Sequence, residues 1–189
     1  MTTPTADTRL VAQYLAALAL AGSTKLSEAT PRILRTLCES LGWAYGAVWE
    51  VVPDAGLLRC VETWHEASRP APKFEEVTKG LRFTRGTGLP GRVWSTRAPA
   101  WIPDVTRDSN FPRAAFAAEE GLHGALGFPI LLGDRVLGVM EFFSREIQEP
   151  DEGLLELLGT VGSQIGQFIE RKRVEEELGT FFTMSLDML

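Results

Sequence analysis

Residues 124–144 read GALGFPILLGDRVLGVMEFFS, two apolar runs about a Gly133-Asp134 turn. The first run, Ala125 to Leu132, is almost continuously apolar. The second, Arg135 to Phe143, is interrupted only by Arg135 at its mouth and Glu141 deep inside it. Runs of this kind belong to strands covered on both faces, and Gly-Asp between them is a hairpin signal. This hairpin is expected to be an inner pair of a sheet, with the rest of the chain pairing with it or covering it.

Upstream, apolar residues at Leu10, Val11, Tyr14, Leu15, Leu18 and Ala21 have helical spacing. A second helix is expected from Ser27 to Leu41, with Ile33, Leu34, Leu37, Cys38 and Leu41 as its stripe and Gly42 as its stop. Pro31 is tolerable only near its first turn. Cys38 falls on that stripe and reads as a small core hydrophobe. Ala44 to Val52 alternates as a strand, Pro53 to Gly56 is a turn, and Leu57 to His65 is the returning strand. A short helix is expected over Phe74 to Lys79.

Gly86-x-Gly88-x-x-Gly91-x-Val93 matches two nucleotide-binding spacings, and neither fits its context. A dinucleotide loop needs a buried strand before it and a full helix after it. Here a short charged segment precedes, and Pro99 limits the helix to about Gly91 to Thr96. The lysine strand and the His-Arg-Asp and Asp-Phe-Gly segments of a protein kinase are missing. The segment reads as a Gly-rich turn where backbones pack closely. Trp101 to Val105 follows as a short edge strand, and Phe111 to Glu120 as a short helix.

A long final helix opens at Glu149-Pro150-Asp151-Glu152. Leu154, Leu158, Val161, Ile165 and Phe168 recur four and three apart, the spacing of a coiled-coil seam, and Leu155, Leu157 and Ile169 widen it toward the domain. Three pairs four apart, Arg171/Glu175, Lys172/Glu176 and Arg173/Glu177, are expected to support an exposed helix. The apolar stretch Phe181 to Leu189 reads as the truncated start of another domain.

Composition bounds the function. Lys plus Arg is 19 against 25 Asp plus Glu, a net charge of −6 with no basic stripe, which gives no footprint for nucleic acid. No apolar run approaches membrane-spanning length, and the Ala/Leu stretch near the start lacks a basic leader. Two cysteines, Cys38 and Cys60, form neither a disulfide framework nor a zinc spacing, so a cytoplasmic protein with reduced thiols is expected.

Four segments in order, Gly88-Leu89-Pro90-Gly91-Arg92-Val93-Trp94, Trp101-Ile102-Pro103-Asp104-Val105, Gly124 to Ile130 and Gly133 to Val139, make the chain resemble a GAF domain. This is a small-molecule sensory module of bacterial sensor kinases, cyclases and phosphodiesterases. The resemblance covers roughly residues 26–170. It implies an α+β fold: a central antiparallel β-sheet of five to six strands, N- and C-terminal helices on one face, and short helices and loops over a pocket on the other. Residues 1–25 would be an N-terminal helix, 171–180 a helical signalling linker similar to those of sensor histidine kinases, and 181–189 the start of a PAS-like domain.

The resemblance also bears on cofactors. Bilin-binding members attach the chromophore through a cysteine beside a histidine before the central hairpin, and Phe111 to Gly121 has neither. Haem binders need an axial histidine; His123 and His65 read as polar residues at strand ends. The Asn-Lys-x-Asp-like motif of cyclic-nucleotide binders is not found. Bilin and haem are thus disfavoured and the ligand is unknown. GAF-type methionine-sulfoxide reductases use cysteines in pocket loops, whereas Cys38 and Cys60 fall on a helix stripe and in a strand. No nucleophile–base pair or metal cluster stands out, so the chain is expected not to be an enzyme.

The candidate ligand-binding residues are Trp94, Trp101, Phe111, Glu141 and His123. Trp94, Trp101 and Phe111 surround the Gly-rich segment as an aromatic wall or as ordinary core. Glu141 is costly in an apolar strand unless paired or facing a wet cavity. Its partner would be Arg82 or Arg92, unless it stands exposed. Asp104 is expected to cap the following turn. The expected function is a small-molecule sensory domain of a multidomain signalling protein, a two-component sensor histidine kinase, homodimeric through its terminal helices. The alternative is a ligand-free GAF-like dimerisation scaffold.

Overall fold

The computed structural model describes Leu10, Gln13, Ala16, Ala17, Ala19 and residues 26–186. Those first five residues are helical, and the rest of the expected first helix lies outside the described residues. Helix α1 spans Leu26–Leu41 and carries Pro31 one turn inside its start. Its stripe, Ile33, Leu34, Leu37, Cys38 and Leu41, is buried as the periodicity requires.

Six strands form one antiparallel sheet: β1 Tyr45–Val52, β2 Leu57–His65, β3 Arg82–Phe83, β4 Ala100–Ile102, β5 Ala125–Leu132 and β6 Arg135–Phe143. Their spatial order is β3-β2-β1-β6-β5-β4, so the β5–β6 hairpin is an inner pair, as its two apolar arms dictate. Strand β3, only two residues long, was hidden in a charged segment. Pro129 lies in β5 beyond the three residues paired to β4, where the strand has no neighbour on that side.

Two irregularities retune the alternation. Val48 pairs with Glu62 and Trp49 with Cys60, so Val61 is an extra residue and points out, 47% exposed. Ile130 pairs with Gly138 and Leu131 with Val136, leaving Leu137 extra. That shift puts Val136 and Val139, three apart, in the same apolar cluster.

The sheet separates two cores. On one face, Leu126, Phe128, Ile130, Met140 and Phe142 pack against α1 and the final helix. On the other, Tyr45, Ala47, Trp49, Val139 and Phe143 meet helices α2 (Pro72–Gly80), α3 (Gly88–Thr96) and α4 (Ala114–Glu119) with their loops. The Gly-rich segment is a turn only up to Thr87: α3 starts at Gly88, three residues before the expected Gly91, and a Cβ on Gly91 would overlap the Thr84 carbonyl oxygen.

The final helix α5 runs from Glu152 to Leu186. The expected coiled-coil seam is corrected here: Leu154, Leu158, Val161, Ile165 and Phe168 are all buried in the domain's own core. A three–four spacing serves a sheet as well as a partner helix, and here β5 takes it. The seating is close, because a Cβ on Gly162 or Gly166 would overlap the carbonyl oxygens of Pro129 and Leu131. Past Phe168, Val174 and Leu178 are exposed. Arg173 pairs with Glu177 as expected and also with Glu170, and Lys172 pairs with Glu175. Residues 181–186 continue the helix, and the rest of the expected PAS-like start, 187–189, lies outside the described residues.

Candidate functional site

Glu141 sits in β6 between Ala47 of β1 and Gly127 of β5. These two small neighbours leave room above the strand, and a long side chain fills it. Arg113, immediately before α4, reaches down and grips Glu141 with a two-pronged bond: Nη1 donates to Oε1 and Nη2 to Oε2, both at 2.7 Å. Trp49 Nε1 donates to the same Oε1 at 2.9 Å, and Arg113 Nη1 also donates to Thr78 Oγ1 at 3.0 Å. Both members of the pair are fully buried.

Aromatic rings close the cage. The Arg113 guanidinium carbon lies 4.9 Å from the Phe74 and Phe111 ring centres, 5.3 Å from Phe83, 5.4 Å from Phe143 and 5.5 Å from Trp49. The negative faces of the rings assist in holding a cation away from water. One buried polar atom in this region, Arg113 Nε, has no hydrogen-bond partner among the described residues. Tyr45 shares Phe74 and Phe143 with Arg113 as neighbours, at 5.2 and 5.9 Å between ring centres. Burial pushes its phenol far above the ordinary value, and the nearby Cys60 adds to the shift. Cys60 itself is pushed up to about 12, first by burial and then by the charge of Glu141. Burial also raises the Cys38 thiol, with Glu39 adding to it.

The sequence-predicted residues divide between places. Glu141 and Phe111 meet at the cage. The expected partners of Glu141 are corrected: Arg92 is committed to Asp108 by two bonds of 3.0 Å, and Arg82 donates to the carbonyls of Lys79, Gly80 and Leu81. Trp94 is buried on the same face of the sheet but lies under Arg85 at the sheet's end. Trp101 is on the opposite face, edge-on to Trp43 at 5.5 Å and donating to the Gln148 carbonyl at 2.7 Å, so it cannot line a pocket with the other two. His123 is half-buried beside Asp104, with 3.1 Å between Nδ1 and Oδ1. Asp104 caps its turn, accepting from both the amide and the hydroxyl of Thr106. Arg113 itself was missed. The one signal for it was the demand that a carboxylate in an apolar strand have a cation.

A match to the GAF domain family covers residues 23–170. The chain belongs to the GAF domain family. It is 27% identical over 180 residues to the Nif-specific regulatory protein of Azospirillum lipoferum, covering 92% of this chain and 27% of that protein's length. Among solved structures, the GAF domain of a phosphoenolpyruvate-protein phosphotransferase from Coxiella burnetii superposes with a TM-score of 0.75 at 20% identity, over 90% of this chain and 98% of that one. The free methionine-R-sulfoxide reductase from Neisseria meningitidis, in complex with its substrate, gives 0.71 at 17% identity, over 89% of this chain and 91% of that one. This last likeness corrects the expectation that the chain is not an enzyme. A GAF fold carries a reductase, so the missing nucleophile–base pair in the sequence is no ground for excluding activity. At these identities the likeness concerns the fold. Among the described residues there is no cluster of three or more His, Cys, Asp or Glu placed to hold a metal, and no helix long and apolar enough to cross a membrane.

Proposed function

We propose that this GAF domain is the sensory and regulatory unit of a longer signalling protein, and that it reads a small molecule bearing an acceptor oxygen at the Arg113–Glu141 cage. The observation that carries the reading is a buried donor, Arg113 Nε, left without an acceptor among the described residues beside a fully buried ion pair. Such a donor costs about 1–3 kcal/mol unless something accepts from it. A small acceptor molecule in the cage removes that cost.

The route outward is short. Glu141 faces the cage, while its neighbours Met140 and Phe142 on the same strand pack among the residues that seat α1 and α5. A shift of β6 toward or away from Arg113 therefore biases the seat of α5, whose end carries the exposed Val174 and Leu178. In this reading two copies pair through the terminal helices, and the output is a fused signalling domain such as a histidine kinase. The similarity to a regulatory protein supports a regulatory output.

Native mass spectrometry of protein purified from cells tests the reading. The expected result is a dimer mass with a small-molecule adduct that is lost in Arg113→Ala. An adduct-free protein whose stability no small-molecule panel changes would overturn it. Cysteines at Val174 and Leu178, not on the buried seam, are the positions for inter-chain cross-linking. A second reading, the ligand-free dimerisation scaffold, is favoured by one observation: the interior above Glu141 is already filled by Arg113 and its five rings.

A further inference from the structure

A cleft of about 1200 Å³ opens at the end of the sheet, where the β1–β2 and β5–β6 turns face the C-terminal end of α3. Val51, Val136, Leu137 and Trp94 supply its apolar lining. Arg85, Arg97 and Arg135 also line it, with Asp134 as the acid among the lining residues. Three cations against one anion leave a local excess of 3 − 1 = +2, in a chain whose net charge is −6. The excess runs against the sign of the whole molecule.

The cations are held in different ways. Arg85 lies over the Trp94 ring, 4.4 Å from its centre, so its planar group is fixed while its edge stays free to donate. Arg135 stands at the exposed mouth of β6, in the electrostatic reach of Glu170 on α5. Arg97 caps α3 with φ of +58°, the single non-glycine residue with positive φ among the described residues. Glycine is the usual occupant of that position, and a side chain there costs about 1 kcal/mol. Its partner is weak: Asp134 is 3.9 Å away and fully exposed. A strained backbone that keeps an arginine at the lip of a cleft, with only a loose counterion, points to something else that the arginine holds.

We propose that this cleft binds a small organic dianion with a flat apolar body, the body against Val51 and Val136 and the charge between Arg97 and Arg135. The site is separate from the Arg113–Glu141 cage and goes beyond the sensory reading; substitutions in the cage leave it intact. Guanidinium forks match phosphate and carboxylate oxygens alike, so the two sources of dianion are told apart by the probe.

The test titrates the whole chain at low salt with phenyl phosphate, isophthalate, phenol and inorganic phosphate, followed by calorimetry and by amide NMR shifts at Gly56, Ser95 and Asp134. At least one aromatic dianion saturates those shifts, and phenol and inorganic phosphate bind more weakly. Whichever aromatic dianion binds tighter identifies the source. Arg135→Ala weakens binding about threefold, the scale of one partly exposed charge pair, and Asp134→Asn tightens it about twofold by removing a competing charge. Arg97→Gly separates function from structure: it raises the melting temperature by relieving the backbone, yet lowers affinity. No saturation by about 10 mM, a Kd too weak to count as a site, would overturn the proposal. So would binding indifferent to Arg135→Ala and to Arg97→Gly.

Discussion

The Arg113–Glu141 pair offers a sharp test of how the interior is held. Glu141→Gln keeps the shape of the side chain and removes its charge. Its amide then places a donor against an Arg113 nitrogen that donated to Glu141 at 2.7 Å, and the guanidinium is left buried without a counterion among five rings. Breaking one side of a buried pair costs about 3–5 kcal/mol. With a urea m-value of about 2 kcal/mol/M, the unfolding midpoint falls by about 2 M. The double variant Arg113→Met with Glu141→Leu removes both charges and keeps most of the volume. It orphans Trp49 Nε1 and Thr78 Oγ1, costing about 1 kcal/mol each, but it also abolishes the desolvation of two ions. It should therefore lie within about 2 kcal/mol of the parent, and well above either single variant. Urea unfolding of the parent, Arg113→Met, Glu141→Leu and the double variant, with unchanged m-values as the control, measures the cycle. Additive losses, or a Glu141→Gln cost below about 0.5 kcal/mol, the range of an ordinary surface substitution, would refute the assignment of this pair as the interior's polar hub.

Three further outcomes are expected. Gly166→Ala should unseat α5 from β5, because the new methyl overlaps the Leu131 carbonyl and neither backbone can yield cheaply; the loss is about 3 kcal/mol, read as early proteolytic cleavage within residues 152–186. Desolvation pushes the Asp104 carboxyl up, but the Thr106 hydroxyl, His123 and the Thr106 amide together outweigh it and hold the group below its usual value. Its contribution to stability is thus present above the ordinary carboxylate range and lost as pH falls through the lowered value, and Asp104→Asn should flatten that part of an acid unfolding curve. Cys60, pushed up to about 12, should stay protonated at neutral pH, so iodoacetamide labelling of the folded protein should be slow and rise only in strong alkali. Rapid labelling at pH 7 would contradict that environment.

The layered fold was legible because it is written in apolar periodicity. The two arms of residues 125–143 need cover on both faces, and the stripes of α1 and α5 supply it on one side. What the stripes do not encode is the identity of the surface they meet. The spacing from Leu154 to Phe168 fits a second helix and a sheet equally well, and only the close approach of Gly162 and Gly166 to β5 decides it. Strand β3 was illegible for a related reason: two residues held by Leu58 and Arg59 of β2 have no period to detect. The bulge at Val61 likewise sets which side chains of β2 face inward without leaving a turn residue to mark it. At the site, the carboxylate of Glu141 announced a need for a cation. The sequence could not choose among arginines, because the choice is made by the loop between β4 and α4, and loop paths carry no periodic signal.

An ion pair of this kind is a poor way to gain stability. Apolar residues of equal volume would hold the interior as well or better, and the six rings of Trp49, Phe74, Phe83, Phe111, Phe143 and Tyr45 show that such packing is at hand. The pair instead makes the interior conditional. Arg113 stands at the start of a six-residue helix reached through a long connection, whereas Glu141 is fixed in an inner strand. Anything that competes for Arg113 must leave the Glu141 carboxylate buried with the Trp49 Nε1 bond alone and no cation, a cost of about 3–5 kcal/mol. That cost falls on the strand whose other side chains, Met140 and Phe142, help seat α5. In the proposed sensory reading, displacing Arg113 is the step that would pass a binding event through β6 to a helix on the far face of the sheet.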